Sequence, residues 1–538
     1  MRRVTCLVAL AAVVALALPS GGRASVVQAV ARPVPDFNYD GFGDLAVGAP
    51  GEDVGRRWSD AGAISVLYGR ATGMSSDRRV ITQNTPGVAG SAERGDRFGA
   101  ALVAGRFNGD RFWDLAVGAP GEDVGRDRDA GAVIILYGSD KGLGKGLRTG
   151  RRLPLTQPNP EPGDRFGFSL AAGEISGTAR AELVVGAPGE TIRGARGAGA
   201  VNVIDNPAGT SPSQKVLYQG RGMSGRPERD DNFGWDVVAN DFMNTANTGG
   251  RDSLAVGVPG EDVGRAVDAG AVNIRYAAAS PGRRLLYQNR PERGDGFGTA
   301  LGDGLFDQAN GTVDLAVGAP GETVRGRRAA GAVSVVKNNN SGFQTGGQVF
   351  YQGRGVYGMP EKGDRFGAAV AIGGFGRGLG GVALGVGGLA VGVPGEDVRR
   401  TVDAGFLTVL YGPGGVRQEQ FTQKQAGGQV EAGDRFGEAL GAPFRLKSGQ
   451  GAGLGVGAPG ETVGRARGAG AFSVLTGAAS GGGLPTGQTF YQGPRSRPYL
   501  TVGGTPEAGD ALGAAILSSG RPRAPTPLGR RTPPPPPV

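Results

Sequence analysis

Asp114-Leu115-Ala116-Val117-Gly118-Ala119-Pro120-Gly121-Glu122 decides the fold, because its last six residues return six more times in near-identical form. This Val-Gly-(Ala/Val)-Pro-Gly-Glu box places its first glycine at Gly48, Gly118, Gly186, Gly257, Gly318, Gly392 and Gly457, with spacings of 61 to 74 residues. A second box, close to Glu-x-Gly-Asp-x-Phe-Gly, recurs with its aspartate at Asp96, Asp164, Asp231, Asp295, Asp364, Asp434 and Asp510. It drifts twice: Asp230 replaces the glycine and Leu512 the phenylalanine. Two boxes with the same count and order define one array of seven units, not several separate domains.

The unit from Arg97 to Gln157 shows how each repeat is built. Phe98 to Ala104 reads as a short first strand and Asp114 to Pro120 as a second, stopped by Pro and Gly. Ala130 to Gly138 is an apolar third strand, and Leu153 to Gln157 a weaker fourth. The fourth strands share a glutamine preceded by Thr or Tyr: Gln83, Gln157, Gln219, Gln288, Gln352, Gln423 and Gln492. The expected fold is therefore all-β, a seven-bladed β-propeller of four-stranded antiparallel blades. The order of boxes begins at a second strand, Asp44 to Val47, and ends at a first strand, Asp510 to Leu517. One blade is then completed by strand exchange between the two ends, which closes the ring and protects its edges.

Outside the repeats the chain changes character. Arg2 and Arg3 precede the apolar run Val4 to Leu18, and Ala29-Val30-Ala31 offers a cleavage box, with a cut after Ala24 as the alternative; residues 1–31 read as a signal peptide. The run is short for a membrane span. The lone cysteine, Cys6, lies within it, so the mature chain carries no disulfide or cysteine-bound metal. Residues 32–520 form the propeller, and the Pro/Arg-rich 521–538 read as a disordered tail. The pI near 9.8 is misleading. Seven of the 58 basic residues lie in the two ends; the remaining 51 face 49 acids, which leaves no field to attract nucleic acid.

With Phe-Gly at strand one, an acidic loop between strands one and two, and Gly-Ala-Pro after strand two, the chain resembles the FG-GAP repeat proteins. It is similar to the integrin α-subunit seven-bladed propeller, to bacterial exported forms and to the propeller of glycosylphosphatidylinositol-specific phospholipase D. In that family the first loop often carries calcium through D-x-(D/N)-x-D-G-x-x-D. The resemblance implies a Ca2+ site at Asp36, Asn38, Asp40, the Phe42 carbonyl and Asp44, where Gly41 permits the sharp bend. The next loop keeps Asn108, Asp110 and Asp114, but Arg106 stands at the first position and Arg111 where glycine belongs. Glu174, Ser176, Thr178 and Glu182 make a poor cage, and Asn310, Gly311 and Asp314 are a remnant.

Two further acid rings recur: Glu52 and its six equivalents in the loop between strands two and three, and Glu93 and its equivalents before strand one. Their periodicity points to a scaffold role, with ion pairs to loop arginines (Arg56, Arg126, Arg265, Arg465) and hydrogen bonds to loop backbone. No acid outside these periodic sets draws attention. Arg94-Gly95-Asp96 and Arg293-Gly294-Asp295 spell an adhesion tripeptide, yet sister repeats vary its first letter, so these are framework residues. The chain has no histidine, which removes Ser-His and Cys-His chemistry and His-bound zinc. No catalytic residue is assigned. The expectation is a secreted, non-enzymatic, monomeric binding or adhesion module, extracellular or wall-associated. Its ligand would be an extracellular protein or glycan, held by the variable loops between strands four and one, such as 84–93, 220–228 and 353–361. An extracellular hydrolase working through loop carboxylates is the alternative.

Overall fold

The box spacing is realised as seven sheets, each giving one blade. The computed structural model describes residues 35–519 apart from 71–72, 145–152, 178–179, 210, 244–249, 278–281, 307–310, 340, 345–346, 375–386, 413–416, 442–452, 477–485 and 494–499. The expected signal peptide and tail therefore lie outside the described residues. Blade four is the plainest: Val237–Asn240, Ser253–Val258, Ala271–Arg275 and Arg283–Leu286 pair antiparallel in chain order. Helix is confined, among the described residues, to a single 3-10 turn at Gln423–Ala426. No helix among them is long and apolar enough to cross a membrane.

The repeat unit differs from the sequence reading in two respects. In blade two the first strand is Ala101–Gly105, because Phe98 to Ala100 turn sharply and bury the Phe98 ring between blades. Its fourth strand shrinks to one bridge, Val133 to Leu155. Three blades instead gain a short parallel outer strand after the fourth: Gly222–Met223, Gly355–Val356 and Leu500–Val502.

Blade one draws on both ends of the described chain. Ala515–Ile516 pairs antiparallel with Leu45–Ala49, which continues to Ala63–Arg70 and Gly73–Ile81. Ser518–Ser519 then pairs parallel with Val103 and Ala104 of blade two. Residues 515–519 thus stitch two blades rather than one.

The glycines of the first box set the blade-to-blade distance. A Cβ on Gly48, Gly118, Gly186, Gly257, Gly318, Gly392 or Gly457 would sit 1.9 to 2.1 Å from a carbonyl oxygen of the Phe-Gly (or Leu-Gly) turn in the next blade. No side chain fits there. The apolar core runs through these contacts: the ring of Phe98, Phe166, Phe233, Phe297, Phe366 or Phe436, and Leu512 in the drifted copy, is buried at every one.

Candidate functional site

Seven polar joints lie beside these glycine contacts. In each, the fourth-strand glutamine of one blade donates from Nε2 to Oε2 of the box glutamate in the next. The six pairs Gln83–Glu122, Gln157–Glu190, Gln219–Glu261, Gln288–Glu322, Gln352–Glu396 and Gln423–Glu461 span 2.5 to 2.8 Å. Gln492 to Glu52 makes the seventh, between the last blade and the first. The expected ion pairs of these glutamates with loop arginines are thereby corrected. The partner is a neutral amide, because the fourth-strand side chain reaches the buried carboxylate that a long, hydrated arginine would have to desolvate to meet.

The aspartate of the second box completes every joint. Its Oδ2 accepts the backbone N–H of the residue three before it, at 2.5 to 2.6 Å, from Glu93 to Asp96 round to Glu507 to Asp510. Its backbone carbonyl accepts the N–H of the second box glycine, as between Gly121 and Asp96. Both carboxyls sit well above their ordinary range. Burial is the main cause and the other acids of the joint add to it, pushing Glu461 and Asp510 up to about 8 and Asp96 and Glu122 up to about 7.

The first acidic loop lies at the opposite end of the second strand from these joints, since Asp44 precedes Leu45–Ala49 and Glu52 follows it. Asp36 organises the turn by accepting the N–H groups of Asp40 at 3.1 Å and Gly41 at 2.8 Å. Gly41 has φ +86°, the bend expected of it. Asn38 Oδ1 accepts from Asp40, and Asp40 Oδ1 from Phe42. Hard oxygen donors from Asp36, Asn38 and Asp40 thus share one tight exposed turn, a donor set suited to a calcium-sized cation.

Asp44 closes the loop from behind, within the field of the Asp36 and Asp40 charges. It is buried, and its two carboxylate oxygens accept from Phe37 N and Gly69 N, at 2.8 and 2.9 Å. Asp114 and Asp314 do the same in their blades, tying the first loop to the end of the third strand. Backbone anchoring is thus one role of this aspartate in each of these three blades. In the second loop Asn108 and Asp110 repeat the Asn38–Asp40 turn, while Arg106 stacks on Trp113 and Arg111 lies between Tyr39 and Phe112, so neither arginine fills a ligand position. Among the described residues, no three Asp, Glu, Cys or His side chains converge as a metal cluster.

A central cavity of about 320 Å3 is lined by the first strands of all seven blades. Alanine is the commonest lining residue, and blades three to five add Phe168, Trp235, Asp236, Thr299 and Asp303. The Phe168 and Trp235 rings lie 4.7 Å apart. Asp236 accepts from Val237 N and Leu301 N, and burial, with the Asp303 charge adding, pushes it up to about 7. These acids correct the expectation that none stands outside the periodic sets. Setting the first strands in register would have found one of them: Asp236 occupies a position held by Ala101, Ser169, Ala300, Ala369, Ala439 and Ala515.

The fold and its two boxes define a seven-bladed propeller built of FG-GAP repeats. Residues 33–67 and 98–136 match the family model described as FG-GAP repeat. Phosphatidylinositol-glycan-specific phospholipase D is 33% identical in Rattus norvegicus over 153 residues, which is 28% of this chain and 17% of that protein. The Homo sapiens form is 27% identical over 269 residues, 50% of this chain and 30% of that protein. Integrin alpha-PS5 of Drosophila melanogaster is 33% identical over 156 residues, 29% of this chain and 14% of that protein. The chain thus spans less than a third of the length of these relatives. It is an integrin-α-like FG-GAP propeller.

Proposed function

We propose that the chain is an exported, calcium-binding propeller that works outside the cell as a binding or adhesion module. The observation that carries this reading is that the periodic acids are spent on architecture. The box carboxyls are locked into the seven blade joints and the strand-two aspartates into backbone anchors, so the recurrent groups are scaffold. Likeness to integrin α chains supports an extracellular ligand, protein or glycan, met by the loops between strands four and one. Asp36, Asn38, Asp40, the Phe42 carbonyl and Asp44 would hold the calcium ion, which would stiffen the first loop where Tyr39 packs on Phe112. The experiment is a glycan and cell-wall array read with calcium and with chelator, beside calorimetric calcium titration of the intact chain and of Asp36→Ala. Heat of calcium binding that disappears in the variant, with array binding retained by the intact chain, is the expected result; no calcium heat would remove the cation.

A second reading, hydrolysis of a polysaccharide or ester, draws on the Asp236–Asp303 pair in the central cavity and on the phospholipase relatives. Product release from an array spot, abolished by Asp236→Asn, would favour it over binding alone.

A further inference from the structure

The joints hold more acceptors than donors. Five of the seven box aspartates (Asp96, Asp164, Asp295, Asp434 and Asp510) have a buried Oδ1 without a hydrogen-bond partner. Beside them, six of the seven fourth-strand glutamines have a buried Oε1 in the same condition; Gln157 is the exception, accepting from Asn202. The aspartate and glutamate carboxyls are also within hydrogen-bonding reach of each other at Asp164–Glu190 and Asp295–Glu322. Two anions and a run of orphaned acceptors in a buried space are costly. A single hydrogen removes one of the two charges and satisfies one of the acceptors.

We propose that the five joints whose aspartate Oδ1 is unmatched are proton-binding sites, in which the box aspartate and glutamate share one proton taken up as the ring assembles. The proton turns one carboxyl into an O–H donor, satisfies an orphaned acceptor and leaves one negative charge facing the glutamine amide, as in other like-charge carboxyl pairs. The charges facing these pairs are acidic. They comprise the glutamate three residues before each aspartate and, at two of the five joints, the aspartate after the box glutamate: Asp53 and Asp123. Asp129 adds to the second of these. At the Asp434–Glu461 joint the facing charge is Glu431, while the adjacent Arg435 turns away to Glu438. This device goes beyond the binding function and does not depend on it.

The direction of the pH effect follows from linkage. An unfolded carboxyl titrates near 4, whereas burial and neighbouring acids hold the joint carboxyls higher, to about 8 at Glu461 and about 7 at Asp434. The folded ring therefore binds protons that the unfolded chain releases. The stabilisation is complete below about pH 4 and is lost progressively as pH rises through the folded values, from about 6 at Asp295 to about 8 at Glu461 and Asp510.

The test is urea unfolding of the full chain from about pH 5 to about pH 8.5, comparing the intact protein with Glu461→Gln and Glu461→Ala. Glutamine supplies permanently the N–H donor that the shared proton supplies only when bound. The expected result is that intact stability falls as pH rises, and that Glu461→Gln folds with about one fewer proton taken up, so its standing against the intact chain improves at high pH. Glu322→Gln, at another joint, gives the same reading should the first variant fail to fold. A bridging water at the joint, or a purely steric role, would leave the glutamine variants with the intact slope, or make Glu461→Gln as damaging as Glu461→Ala at both ends of the range. Either outcome overturns the proposal.

Discussion

At the scale of the residue, the boxes are distances as much as motifs. Gly118 is glycine because a methyl group would lie 2.0 Å from the Gly167 carbonyl of the next blade, a contact that only backbone movement relieves. Gly118→Ala should therefore cost about 3 kcal/mol or more, read as a fall in the urea midpoint at unchanged slope; a midpoint within error of the intact chain would mean the blades are further apart than described. The repetition of Gly48 and its equivalents was legible in the sequence, but its cause was not, because the carbonyl it faces belongs to a residue some 50 positions away. Glutamine partners were hidden for the same reason. Gln423 and Glu461 form one hydrogen bond across two blades, and nothing in either local segment announces the other.

Elements show where pattern reading reached and where it stopped. Strand two of every repeat was plain, since an apolar run ended by Pro-Gly leaves one interpretation, and Asp114–Ala119 and Asp314–Ala319 match it to within a residue. The fourth strand of blade two was not, because Leu153 to Gln157 has the composition of a strand but only Leu155 pairs with the third strand. The first-loop acids were legible as a calcium pattern, whereas the anchoring of Asp44 depends on Gly69, at the far end of the third strand. That anchor makes its own prediction. Asp114 accepts from Phe107 N, Asn108 N and Gly138 N. Asp114→Ala would leave buried N–H groups unmet and should cost about 3 kcal/mol, with hydrogen exchange accelerated first at Phe107 and Gly138. Uniform acceleration across the blade would argue instead for general loosening.

For the whole molecule, the decisive feature is that the last joint resembles the other six. Gln492 meets Glu52, Gly457 packs on Gly513, and Asp510 takes the same bonds as Asp434. The chain reaches this arrangement only by laying Ala515–Ile516 on blade one and Ser518–Ser519 on blade two. Alternate placement of the boxes made the offset of the two ends readable in advance; the second stitch, to blade two, was not, because Ser518–Ser519 carries no strand signal of its own. A propeller without this closure exposes two strand edges and loses cooperativity between first and last blades. The measurement that tests the ring most directly is the melting of a chain lacking residues 507–519, by calorimetry against the intact protein. The account predicts a broad transition at much lower temperature, with blades one, two and seven opening first in hydrogen exchange. A sharp transition at the intact temperature would contradict it.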